Sequence, residues 1–187
     1  MYQIVKKRRL NDTVTLMEIL APHVARKAQP GQFIIFRVDE KGERIPLTIA
    51  GYDQEKGTVT IIFQKVGFST NLLDEQPEGG FILDFVGPLG EPSHFEGIKR
   101  AAVVGGGLGV AIAFPQAKAL HDMGAKVDGI MGFRTESLII LEEEMRASCE
   151  NLFLMTDDGS NGHKGFVTAA LKEQIEAGEK YDAVVAI

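Results

Sequence analysis

Apolar and polar side chains alternate with a period of two along much of the first half of the chain. Residues 2–10 and 12–21 each show it, as half-buried strands do. In the second run, TVTLMEILA, the residues Val14, Leu16 and Glu18 share one face. The turn Pro30-Gly31 precedes a third predicted strand at 32–38. Residues 44–52, RIPLTIAGY, predict a fourth, with its ladder weakened at Pro46. Residues 57–66 are strongly β-prone and Phe68–Glu75 reads as a short helix. A last strand at 81–86 precedes the turn Gly87-Pro88-Leu89-Gly90. Many short strands with turns at close spacing predict an antiparallel barrel or sandwich.

From about residue 99 the pattern changes to strand and helix in alternation. Strands are predicted at 101–104, 126–133, 151–156 and 182–187, and helices at 110–123, 136–147 and 165–177, the last capped by Gly178. Pro115 removes a backbone donor inside the first of these helices, which argues for a start later than residue 110. Such βαβ alternation predicts a parallel sheet with ligands at the carboxyl ends of its strands. The expected domains are therefore 1–97, an antiparallel barrel, and 98–187, a nucleotide-binding α/β domain.

Composition narrows the function classes. The chain has 187 residues, enough for one large or two small domains. A net charge of −6 argues against nucleic acid as the main partner. Cys149 is the single cysteine, so no internal disulfide and no cysteine-built metal site can form, which fits a reducing compartment. The N-terminal MYQIVKKRRL has no apolar stretch after its basic residues, and no apolar run is long enough to span a bilayer. These features read as a cytoplasmic, soluble protein. The chain stops on YDAVVAI, a predicted buried strand, so a further C-terminal part is expected beyond Ile187.

The candidate chemistry gathers at the predicted strand ends. Ala101–Val104 feeds the glycine cluster Gly105, Gly106, Gly107 and Gly109, with Leu108 within it and Val110 opening a helix. Strand, glycine turn and helix bring bare N–H groups close to a phosphate. Gly105 and Gly107 fit the first two places of the dinucleotide fingerprint, while the third falls on Val110. The next strands end on Gly132-Phe133-Arg134-Thr135 and on Thr156-Asp157-Asp158-Gly159-Ser160, and all three loops are expected on one edge. Arg134 reads equally as a partner for a ribose 2′-phosphate or adenine and as one half of a surface salt bridge. Asp157 and Asp158 would accept from ribose hydroxyls or cap the next helix, and capping is favoured for at least one. Asp128 lies at the fingerprint's distance from the glycines but within a strand, so NAD and NADP stay open. Glu142-Glu143-Glu144 reads as a solvated face, and Lys6–Arg9 as a solvated strand end before a dock for an acidic partner. His23, His94, His121 and His163 are scattered; His163 lies near the Asp157-Asp158 loop but reads as exposed.

A barrel followed by a nucleotide-binding α/β domain is the order of ferredoxin–NADP reductase-like flavoproteins. Within that superfamily the chain resembles the electron-transfer subunit of dihydroorotate dehydrogenase B. It is even more similar to the small (alpha) subunit of NADH-dependent ferredoxin–NADP oxidoreductase, also called sulfide dehydrogenase. RIPLTIAGYD (44–53), FQKVGFST (63–70), VVGGGLGVAIAFP (103–115) and TDDGSNGHKGFVT (156–168) carry the resemblance, in the expected order.

The resemblance implies that the isoalloxazine of FAD lies on Ile45, Pro46, Leu47 and Thr48, with the Thr48 hydroxyl near the reactive flavin nitrogen. Ile62, Phe63 and Gln64 would line the FAD. Gly67, Ser69 and Thr70 would hold its pyrophosphate at the start of the short helix. Where the superfamily has Arg-x-Tyr-Ser, this chain has Ile45 at the arginine place and Leu47 at the tyrosine place; Arg44 is one residue out. Gly105–Val110 would take the pyrophosphate of NAD(H) or NADP(H), with Phe133, Arg134, Thr135, Asp157 and Asp158 around the adenosine half. The family's C-terminal cysteine-rich segment, which carries a 2Fe–2S cluster, has no counterpart in these residues.

The chemistry so implied is an oxidoreductase's. An electron-transfer subunit would move electrons between NAD(P)H, FAD and, in a longer chain, the cluster, and pass them to a larger catalytic partner subunit in a hetero-oligomer. No side chain is required as general acid or base. The alternatives are a non-catalytic assembly subunit on a flavoprotein scaffold and a stand-alone flavin reductase.

Overall fold

The computed structural model describes residues 1–187 and divides into two units, Met1–Ser93 and His94–Ile187. In the first, β1 (Tyr2–Arg9) and β2 (Val14–Leu20) pair antiparallel. Asn11 shapes the turn between them: its Oδ1 accepts from the N–H groups of Thr13 and Val14. The one-turn helix α1 (Pro22–Ala25) follows, with proline in its opening turn. Then come β3 (Phe33–Arg37), β4 (Ile45–Asp53), β5 (Thr58–Gln64), α2 (Phe68–Glu75), β6 (Phe81–Ile82) and β7 (Asp84–Leu89). The strands form one antiparallel sheet in the order β6-β1-β2-β5-β4-β3-β7.

β4 is the strand on which this sheet curls. Ile45–Thr48 pair with β3, whereas Ile49–Asp53 pair with β5, with a register shift between Ile49 and Gly51. Staggered pairing of this kind rolls a sheet into a near-closed barrel. Pro46 lies opposite Ile35 within the ladder. The barrel interior holds Ile4, Met17, Ile19, Ile34, Phe36, Ile49, Ile61, Phe63, Leu73 and Phe85. In β2 the inward face is therefore that of Met17 and Ile19, while Val14 and Leu16 are buried on the other face.

The expected strand at 81–86 is two strands. β6 pairs with β1, and β7 pairs with β3. Leu83 makes the crossing, its N–H reaching the carbonyls of Arg37 and Val38. Gly87-Pro88-Leu89, expected as a turn, continues β7.

The second unit holds β8 (Arg100–Gly106), α3 (Val110–Asp122), β9 (Lys126–Phe133), α4 (Glu142–Ala147), β10 (Asn151–Thr156), α5 (Val167–Glu176) and β11 (Ala183–Ala186). All strand pairs are parallel, in the order β10-β9-β8-β11. Alternate residues of β9 look to opposite faces. A Cβ on Gly129 would meet Met145 of α4, whereas one on Gly132 would meet Val167 of α5. Helices therefore cover both faces, as a parallel sheet requires. α5 ends with Gly178 N–H on Ile175 O and Glu179 N–H on Gln174 O, the paired bonds of a Schellman motif.

Two helix expectations are corrected. α3 begins at Val110 despite Pro115, and Val110, Ala111, Ala113, Pro115, Ala117 and Leu120 are all buried along it. Burial of that stripe outweighs the missing hydrogen bond. The expected helix at 136–147 is a 3-10 turn, Glu136–Leu138, followed by α4, with Leu141 at φ 58° between them. Cys149 lies past the end of α4 and is half-buried.

Candidate functional site

In the parallel unit the strand order reverses direction at β8, which puts a crevice at the carboxyl ends of β8 and its neighbours. The glycine turn sits there. Gly107–Gly109 form a 3-10 turn that runs into α3. Its glycines divide into two kinds. A Cβ on Gly105 would lie 2.9 Å from Val110 Cα, and one on Gly109 would lie 2.9 Å from Ile187 O, so these two permit close packing of the chain on itself. A Cβ on Gly106 or Gly107 would meet nothing within 4 Å, and Gly107 has φ +54°. Those two leave open space beside the first N–H groups of the turn, which have no acceptor within it. Gly106 N–H itself bonds Ile187 O at 3.1 Å. Val110 is fully buried, so it offers a ligand backbone only, while Leu108 is half-buried.

The loops after β9 and β10 stand on the same edge and are laced together. Asp157 N–H donates to Phe133 O, and Asp158 N–H to Arg134 O. Ser160 Oγ lies 3.2 Å from Thr135 Oγ1 and accepts from Glu136 N–H at 2.7 Å. Asp158 Oδ1 in turn accepts from the Ser160 N–H and hydroxyl. Those bonds hold its carboxyl far below the usual range, at about 2. Asp158 thus caps its own loop. The N-cap of α5 is Phe166, so neither aspartate caps that helix. Arg134 is exposed and makes no ion pair, which removes the salt-bridge reading and leaves its guanidinium free. Asp157 and His163 are exposed.

Asp128 is elsewhere. Within β9 it accepts from Arg100 Nη2 at 3.0 Å, Tyr181 Oη at 2.8 Å and Asn151 Nδ2 at 2.9 Å. Arg100 and Asn151 begin their strands, so this cluster around the buried Asp128 closes the amino-terminal half of the sheet and is no ribose ligand. Burial and the bond to Asp128 push the Tyr181 phenol up to about 12.

In the barrel unit, strand alternation sorts the expected flavin residues. Ile45 and Leu47 pack against the core, and Phe63 is inside it. Pro46 and Thr48 share the outer face of β4, and Ile62 and Gln64 that of β5. Phe63 can present only its backbone on that surface. The start of α2 carries another open glycine: a Cβ on Gly67 would meet nothing within 4 Å. Thr70 Oγ1 accepts from the N–H groups of Val66 and Gly67, both at 3.1 Å, and so ties the turn to the helix. Ser69 Oγ donates to Glu43 Oε2 at 2.9 Å. Val66 and Phe68, 76% and 73% exposed, flank Gly67 as apolar surface that a ligand could cover.

The opposite end of α2 is anchored by the basic run at the N-terminus. Lys7 Nζ caps the carbonyls of Asp74 and Gln76, and Arg9 pairs with Asp74. Lys6 pairs with Glu18. This use of the run as an internal anchor is one that spacing alone did not reveal. Arg44 turns to Asp84, which Arg37 also holds, and so does not stand at the head of α2.

No family model matches the chain. It is 40% identical over 185 residues to the dihydroorotate dehydrogenase B (NAD(+)) electron transfer subunit homolog of Thermotoga maritima, covering 99% of this chain and 65% of that protein. It is 32% identical over 177 residues to the dihydroorotate dehydrogenase B (NAD(+)) electron transfer subunit of Geobacillus thermodenitrificans, covering 91% of this chain and 68% of that one. A solved structure of NADH-dependent reduced ferredoxin–NADP oxidoreductase matches it with a TM-score of 0.93 at 40% identity, over 100% of this chain and 67% of its own. The chain spans about two thirds of the length of these relatives, and slightly less of the first.

Proposed function

The chain belongs to the family of dihydroorotate dehydrogenase B electron-transfer subunits and their ferredoxin–NADP oxidoreductase relatives, and on that premise we propose that it binds FAD and NAD(P)H and relays electrons to a larger catalytic subunit. The observation that carries the reading is the pair of open glycine turns, Gly67 and Gly106-Gly107, each heading a helix in its own unit. The N–H groups of Gly67 and Gly106 are themselves bonded, but the N–H groups that follow in each opening turn have no acceptor within the helix, where a pyrophosphate would sit. The proposed domains are the FAD-binding barrel, 1–97, and the NAD(P)-binding domain, 98–187.

On the barrel, Pro46, Thr48, Ile62 and Gln64 form the surface for the isoalloxazine, and Ile45 and Leu47 stiffen it from within. The Thr48 hydroxyl donates to the flavin edge, and Gly67, Ser69 and Thr70 receive the pyrophosphate. In the second unit, Gly106 and Gly107 admit the nicotinamide dinucleotide, with Leu108, Arg134, Thr135, Asp157 and Asp158 about its adenosine half. Gly105, Gly109 and Val110 hold that turn in shape. When bound, FAD supplies a hydride acceptor that can release its electrons singly. The chain's own residues bind, orient and exclude water.

An iron–sulfur cluster does not fit these residues. Cys149 is the one cysteine, burial and then Asp128 push its thiol up to about 12, and no group of three or more metal-ligating side chains stands together. No helix is long and apolar enough to cross a membrane. Equilibrium titration with FAD, followed by quenching of flavin fluorescence, tests the reading: one FAD per chain is expected, and no saturable quenching would overturn it.

A further inference from the structure

Glu43 stands where the proposed flavin site would place an anion. Its side chain is exposed, and its Oε2 accepts from Ser69 Oγ at 2.9 Å. Ser69 is buried, 7% exposed, in the first turn of α2. The carboxylate is therefore tied through Ser69 to the first turn of α2, whose N–H groups have no acceptor within the helix. Thr70 already serves the amides of Val66 and Gly67, which concentrates the remaining demand on the helix's own first turn. The next residue, Arg44, goes the other way, to Asp84. This segment thus delivers a negative charge to the head of α2 and takes the adjacent positive charge away from it.

Resting on the FAD reading above, we propose that Glu43 is a resident anion that competes with the flavin diphosphate for Ser69 and the start of α2, and so sets how tightly FAD is held. Two anions cannot both accept the single Ser69 hydroxyl proton. FAD enters only as Glu43 swings out, and its exposure makes that swing sterically free. The competition acts on the phosphate end alone. Riboflavin, which has no phosphate, does not meet it.

The test is titration of the wild type, Glu43→Gln and Glu43→Ala with FAD and, separately, with riboflavin at low ionic strength. Both variants should bind FAD about tenfold more tightly, the worth of removing one opposed charge-assisted interaction, with riboflavin affinity unchanged. Equal or weaker FAD binding by the variants overturns the proposal and leaves the FAD reading standing. An equal gain for riboflavin also overturns it, because the effect would not be on the phosphate end. Absence of FAD binding by wild type and variants alike overturns the parent reading and this one together.

Discussion

Gly105 and Gly106 are neighbours whose missing Cβ atoms serve different ends. At Gly105 the Cβ would strike the backbone of Val110, so Gly105→Ala should disrupt the junction of β8 and α3 and lower thermal stability. At Gly106 it would project into open space from a φ of −112° that any residue adopts. Gly106→Ala should therefore melt within about 0.5 kcal/mol of the wild type, as a surface change does. It should also weaken NAD(P)H binding tenfold or more, on the order of 1.4 kcal/mol, while FAD affinity holds. Calorimetry with paired ligand titrations checks both. Asp158 supplies the second residue-scale prediction. Its folded pKa of about 2 lies below the ordinary 3.8. The loop's stabilisation by this carboxylate is present above the ordinary value and lost as pH falls through the folded one. Carboxyl chemical shifts should show Asp158 ionised at pH 4, and a midpoint near 4 would contradict the loop geometry.

At the scale of elements, α2 is set in place by its far end. Asp74 accepts from Thr15 at 2.5 Å and from Arg9 at 2.9 Å, and Lys65 stands 3.7 Å away. Burial opposes the charge, yet the bonds from Thr15 and Arg9 and the charges of Lys7 and Arg9 outweigh it and hold the carboxyl below its usual range. With the folded value depressed, the stabilisation is present above about pH 4 and lost as pH falls through the folded value. Asp74→Ala leaves Arg9 and Thr15 without their acceptor; a loss of about 2–3 kcal/mol in urea unfolding is expected. FAD binding should weaken with it, because the start of α2 shifts when its end is released. Unchanged stability in the variant would show the anchor to be idle.

The same scale shows what could be read from the chain beforehand. The bounds of α2, β9 and β10 are those the sequence predicts. The break at Leu141 falls inside the helix expected at 136–147, beside the run Leu138-Ile139-Ile140-Leu141. Four apolar residues in a row do not have the helical period, and that was the available signal. β6 and β7 looked like one strand because alternation says nothing about which neighbour a strand pairs with. At the candidate site the residue types were legible and their directions were not. Only the structure separates inward Phe63 from outward Ile62, packed Gly109 from open Gly106, and Arg44 from the helix that Glu43 reaches.

For the whole molecule, an antiparallel barrel and a parallel sheet in one chain each carry an open glycine turn at the head of a helix, which the proposed flavin and nicotinamide dinucleotide sites use. The most direct test of the relay is spectroscopic. The FAD-loaded protein is held without oxygen and given NADH or, separately, NADPH, while the visible flavin band is followed. The account predicts that the band bleaches with at least one of the two nucleotides, and that Gly106→Ala slows it at limiting nucleotide. A flavin band that stays intact with both would contradict the account.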